Sequence, residues 1–138
     1  MKSLLFWGIL CMPFFLSAQT ATLEVKVLDV SSSEGDILIA LYREEETFLK
    51  FEHVYRTQGA PAAEGMTRVV IADLPYGQYA LAIFHDENGN EKLDTNFLGI
   101  PKEPLGFSNA KLKTFGPPGF KECVVDLQED MVIQITLE

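Results

Sequence analysis

The chain has 138 residues, 22% of them charged and 47% hydrophobic. That balance excludes a disordered chain and fits one globular domain. Eleven Lys and Arg stand against 20 Asp and Glu, a formal net charge of -9, which argues against nucleic acid and anionic membrane surfaces as partners, because both are recognised by clustered cations.

Residues 1–18 read as a secretory signal peptide. Lys2 is the basic start, Leu4 to Leu16 the apolar run, and Ser17-Ala18 the small-residue cleavage site before Gln19. The run is shorter than the roughly 20 apolar residues of a membrane-spanning helix. The expectation is an exported protein, periplasmic, cell-surface or extracellular, with no membrane span after cleavage. Removal of the leader takes away Trp7 and Cys11 and leaves Cys123 as the lone cysteine. No intrachain disulfide is then available, and the thiol, set in Cys123-Val124-Val125, reads as a buried, inert group.

The remaining 19–138 predicts a single domain. Thr22–Val27 alternates apolar and polar, the period of a half-buried strand. After the hairpin loop Ser31–Gly35, Asp36–Tyr42 is apolar on both faces and reads as a central strand. Arg43–Lys50 suggests a short helical turn with a solvated acidic triplet, Lys50–Tyr55 a strand, and Ala60–Gly65 a loop. Thr67–Ala72 and Gln78–His85 are strands flanking the turn Asp73–Gly77, the second with Tyr79, Leu81 and Ile83 on its large-residue face. Phe120–Leu127 and Met131–Leu137 close the chain as a hairpin, with Met131, Ile133, Ile135 and Leu137 inward. Six to seven short strands with almost no helical periodicity predict an all-β fold, an antiparallel two-sheet β-sandwich of the Ig-like or transthyretin-like kind.

Residues 86–119 interrupt this pattern. They hold four Asn, four of the seven Pro and five of the ten Gly. Loops longer than about 12–15 residues are usually functional or disordered. Apolar residues spread through this one, among them Phe97, Phe107 and Phe115, predict an ordered excursion with a hydrophobic cluster beneath it.

The head of the loop carries the sequence's one chemical constellation. Counting Asp86 as position one, oxygen-bearing side chains stand at Asp86, Asn88, Asn90 and Asp94, positions one, three, five and nine. A short loop wraps a hard cation with this spacing, and the carbonyl at position seven, Lys92, adds a further oxygen. Carboxylates and amides suit calcium, whereas transition metals favour His and Cys. The pattern departs from an EF-hand at position six, Glu91 in place of Gly, and at position twelve, Phe97 in place of a bidentate Glu. It is closer to the Asp/Asn-rich calcium loops of extracellular repeats, such as the type 3 repeats of thrombospondins. Two carboxylates predict weak affinity, on the order of 0.1–1 mM. The same letters also serve a metal-free turn, since Asn88-Gly89 is a strong turn dipeptide and Asp and Asn bond their own backbone.

Nothing else in the sequence points to catalysis. No Ser-His-Asp set, phosphate-binding Gly loop or Cys–His metal spacing is present. His85 at a strand end reads as a hydrogen-bonding structural residue. An enzyme would need His85 and Asp86 in a cleft beside Glu103. The expectation is a non-enzymatic protein with a weak calcium site in the 86–94 loop. The competing expectation is a metal-free binding or adhesion module that uses the Phe/Pro/Gly-rich loop to hold a peptide, glycan or protein partner.

Several segments together resemble one family. Leu74–Ala80, His85–Asn90, Leu93–Asn96, Gly99–Glu103, Gly106–Asn109 and Phe115–Pro118 resemble the domain of unknown function 2141 family, exported bacterial proteins with no established activity. The resemblance covers nearly all of 19–138. Family members usually carry Gly where this chain has Glu91. More loosely, Asp73–Tyr79 is similar to the Leu-Pro-x-Gly-x-Tyr turn of carboxypeptidase regulatory-like and collagen-adhesin B-type domains, which implies a transthyretin-like sandwich. Transthyretin-related hydrolases end in Tyr-Arg-Gly-Ser; this chain ends in Ile135-Thr136-Leu137-Glu138, so their activity is not implied.

Overall fold

The computed structural model describes Pro13 and residues 17–138. The predicted leader lies outside the described residues except for Pro13, Ser17 and Ala18. Among the described residues, no helix is long and apolar enough to cross a membrane.

The strands are β1 (Thr20–Val30), β2 (Asp36–Tyr42), β3 (Arg56–Pro61), β4 (Gly65–Pro75), β5 (Gly77–Asp86), β6 (Leu105–Phe107), β7 (Val124–Leu127) and β8 (Met131–Thr136). They form two sheets, one ordered β4-β1-β8 and one ordered β3-β2-β5-β6, with β7 pairing the start of β5. The two-sheet sandwich expected from the alternating patterns is present. All pairs are antiparallel except β1 and β8, which run side by side in the same direction.

The main core lies between the sheets. Leu23, Val25 and Val27 of β1, and Tyr79, Leu81 and Ile83 of β5, point into it. Period-two alternation puts every second side chain on this face, and full burial of each large one contributes roughly 1.5–3 kcal/mol. Tyr79 buries its ring here and donates from its hydroxyl to the Pro75 carbonyl at 2.6 Å. That bond ties the Leu74-Pro75-Tyr76-Gly77 turn to the strand that follows.

A second cluster lies on the outer face of the five-stranded sheet. It gathers Tyr42, Phe84, Leu105, Phe107, Phe120 and Cys123. No further sheet covers it. Its cover comes from the 43–55 connection and the 86–119 loop, which supply Phe48, Leu49, Val54, Leu93 and Ala110. Central placement of β2 and β5 explains why both strands are apolar on both faces.

Several local expectations are corrected. Neither β1 with β2 nor β7 with β8 forms the expected hairpin: each pair is divided between the two sheets, with β7 on β5 and β8 on β1. Lys50–Tyr55 is not a strand: two 3₁₀ turns, Glu45–Thr47 and Phe51–His53, fill the connection, and the strand is the more polar Arg56–Pro61. Ala60-Pro61 therefore ends an edge strand, the place where a sheet tolerates Pro. Phe120–Cys123 forms a helical turn, so only Val124–Leu127 is extended. Glu122 Oε2 accepts from Gly119 N at 2.7 Å and fixes that turn's start. The long loop also carries β6.

Candidate functional site

The site is built where β5 ends. His85 is fully buried, and its Nε2 lies 2.7 Å from the Glu34 carbonyl in the β1–β2 connection, which crosses from one sheet to the other. A carbonyl only accepts, so Nε2 carries the proton that binds it. Nδ1 lies 3.5 Å from Ser31 Oγ. The ring clamps the β1–β2 connection to the start of the long loop, as expected of a structural His. Gly35, at φ +66°, completes the clamp: a Cβ there would stand 1.9 Å from the Asp86 carbonyl oxygen. Only glycine lets the backbone of this connection lie against Asp86.

Asp86 is 1% exposed. Its Oδ1 accepts from Asn90 N at 3.3 Å and its Oδ2 from Glu91 N at 2.7 Å. Asn88 Oδ1 accepts from the same Asn90 N at 3.1 Å, and Asn90 Oδ1 accepts from Lys92 N at 2.9 Å. Each oxygen thus holds a backbone N–H two to five residues ahead, and the chain coils around them. Glu91, at position six, adopts φ +60°. The backbone makes the sharp left-handed turn that Gly would ease, with a Glu in place.

The coil closes on Asp94. The amide groups of Asn88 and Asn90 both donate to its carboxylate, Asn90 at 3.0 and 3.1 Å. Four of the five predicted site residues, Asp86, Asn88, Asn90 and Asp94, are therefore joined in one hydrogen-bonded turn. Lys92 enters through its N–H.

A small hairpin then returns the chain. Asn96 N donates to Ile100 O and Lys102 N donates to Asp94 O, both at 2.8 Å, and Asn96 Oδ1 holds Leu98 N and Ile100 N. This fold-back brings Glu103 beside Asp94, whose N–H donates to Glu103 Oε2 at 3.2 Å. Glu103 Oε1 is buried and has no hydrogen-bond partner. Burial pushes the Glu103 carboxyl above the usual carboxylate range; the Asp94 N–H pulls it back, and the charges of Asp94 and Asp86 push it up further. Reading for the cation turn missed Glu103, which lies nine residues past Asp94. Turn-forming Asn96 and Gly99 between the two acids, and Pro101 and Pro104 flanking the second, were the signal that pointed to a fold-back.

The arrangement offers oxygens and no nucleophile–base pair. It is polar, acidic and turned on itself. Among the described residues, no three His, Cys, Asp or Glu side chains are grouped closely enough to hold a metal ion between them. Asp86 and Asp94 spend their oxygens on N–H groups, and Glu103 stands one hydrogen bond behind them.

The hydrophobic cluster expected beneath the loop exists, but without two of its expected members. Phe107 is 8% exposed and belongs to it. Phe97 is 95% and Phe115 100% exposed. Phe97 lies at the tip of the 94–103 hairpin, with its ring in solvent. Cys123 is buried as expected, and burial pushes its thiol up to about 11, far from a reactive thiolate.

No curated protein and no solved structure matches the chain. A family model described as "uncharacterized protein conserved in bacteria" (DUF2141) matches residues 25–135, a span that runs from β1 to β8 and includes the turn and hairpin just described. The chain belongs to that family.

Proposed function

We propose that this is an exported, non-enzymatic β-sandwich protein whose 86–94 turn takes a calcium ion and thereby orders the long loop. The observation that carries the reading is Glu103 Oε1: a buried carboxylate oxygen with no partner, beside Asp94 and within the field of Asp86. A carboxylate oxygen shut from water without a partner is costly, and a divalent cation is the partner that would satisfy it. In this reading the turn tightens around the ion, and Glu103, which is not grouped with Asp86 and Asp94 closely enough to share one as the chain stands, moves in to supply the carboxylate that position twelve lacks. Asp86, Asn88, Asn90, Asp94 and the Lys92 carbonyl supply the rest, with the Asn amides turning their oxygens toward the ion. Oxygen donors alone fit a hard cation.

The test is a thermal melt in millimolar calcium and in chelator. At 100 times its dissociation constant a ligand stabilises by about 2.7 kcal/mol, several degrees for a domain of this size. The expected result is such a rise with calcium, lost in Asp86→Ala/Asp94→Ala and in Glu103→Gln. Glu103→Gln should melt no lower than the parent in chelator, since it removes an unpaired charge. Equal melting with and without calcium would overturn the reading.

One observation favours the metal-free alternative, a module that holds a partner on its loop. Phe97 and Phe115 are almost wholly in solvent, where aromatic side chains commonly serve contact.

A further inference from the structure

A cavity of about 490 Å³ opens on the outer face of the five-stranded sheet, beneath the long loop. Its floor is a pair of alanines. Ala40 of β2 stands directly opposite Ala82 of β5, whereas the flanking pairs on the same face are Leu38 with Phe84 and Tyr42 with Ala80. Small side chains at the centre and large ones around it leave a hollow that the loop roofs without filling. Phe107 of β6 walls one side, and Ile100 and Leu112 roof it. At roughly 30 Å³ per non-hydrogen atom, the cavity has room for about sixteen.

The lining identifies the occupant's chemistry. It is overwhelmingly apolar, and the one buried side-chain polar atom without a partner among the described residues, Glu103 Oε1, is not part of it. The bulk of a ligand is therefore held by burial and not by directed hydrogen bonds. Lys113 is the only charged residue in the lining. Its Nζ lies 2.8 Å from Glu122 Oε2 and its side chain is 54% exposed, so it sits at the mouth with N–H donors to spare. Phe51, 62% exposed, and Ile100, 55% exposed, continue the apolar surface onto the rim.

We propose that this cavity binds a single-chain amphiphilic carboxylate, its tail on the Ala40–Ala82 floor and its head at Lys113. The inference does not need the calcium reading, because the floor is made of strand residues; the roof belongs to the loop that the ion would order, and of the 86–94 turn only Leu93 lines the space.

The experiment titrates the full chain with dodecanoate and with dodecanol below their aggregation concentrations, by calorimetry and thermal melt, in chelator and again in calcium. Expected are one saturable dodecanoate site, a raised melting temperature in chelator, and weaker binding of dodecanol. Ala82→Leu or Ala40→Leu fills the floor and lowers dodecanoate affinity at least tenfold. Leu112→Ser, outside the sheet, weakens it too and stands in should a filled variant not fold. Lys113→Gln costs about threefold for dodecanoate, as a half-exposed ion pair would, and leaves dodecanol unchanged. No saturable binding, binding indifferent to Ala82→Leu, Ala40→Leu and Leu112→Ser, or equal affinity for the two probes would overturn the proposal. The calcium arm keeps its fate separate, because a missing calcium shift leaves the chelator titration intact.

Discussion

Leu81 and Ala82 are neighbours in β5, yet they face two differently made interiors. Leu81 points into the space between the sheets, where strands on both sides interdigitate and burial is complete. Ala82 points to the outer face, where loops form the cover and a hollow of about 490 Å³ remains. Regular strands fill an interior to crystal-like density. An irregular segment spans its own interior at a few anchor points and leaves room between them. The second arrangement is the one suited to holding something else.

Three variants sharpen or break this contrast, each read by equilibrium denaturation. Leu81→Ala should cost about 3–4 kcal/mol, because a close-packed interior cannot collapse into the gap; a loss near 1 kcal/mol would show that the inner interior is as loose as the outer. Ser108→Ala should cost about 2–3 kcal/mol. Ser108 Oγ accepts from Leu81 N at 2.9 Å and donates to the Cys123 carbonyl at 2.5 Å, all within the buried interior, so the Ala variant strands two backbone groups. These side-chain bonds add to the β6 ladder and the Ser108 N–H on the Leu81 carbonyl in holding the loop to β5, and a small effect would mean that the ladder alone suffices. Phe97→Ser with Phe115→Ser should change stability by no more than about 0.5 kcal/mol, since both rings lie in solvent. A larger loss would place them under cover.

What could be read from the sequence followed the same division. The alternation in Thr22–Val27 and Met131–Leu137 located strands because one buried face imposes period two. The apolar runs Asp36–Tyr42 and Gln78–His85 have no such period, and they read as strands because both faces of a central strand are covered. Arg56–Pro61 escaped notice because an edge strand with half-exposed side chains has no apolar period to display. Phe51 misled in the opposite direction: an aromatic in a strand-like string proved 62% exposed on a 3₁₀ turn. The turn at Asp86, Asn88, Asn90 and Asp94 was legible because its bonds span two to six residues. Glu103 was not, because its position depends on a hairpin whose tip is held by the Asn96 side chain. The alanine floor was invisible too: Ala40 and Ala82 become a feature only once the register of β2 against β5 is known.

The parallel neighbours at the other sheet have a consequence for biogenesis. The chain's first strand lies in the middle of its sheet, with Leu23 beside Met131 and Leu28 beside Thr136. β1 thus waits for β8, more than a hundred residues along the chain, and so long a closure slows folding. Until then one edge of Thr20–Val30 stays open to a mistaken neighbour, so the three-stranded sheet closes late.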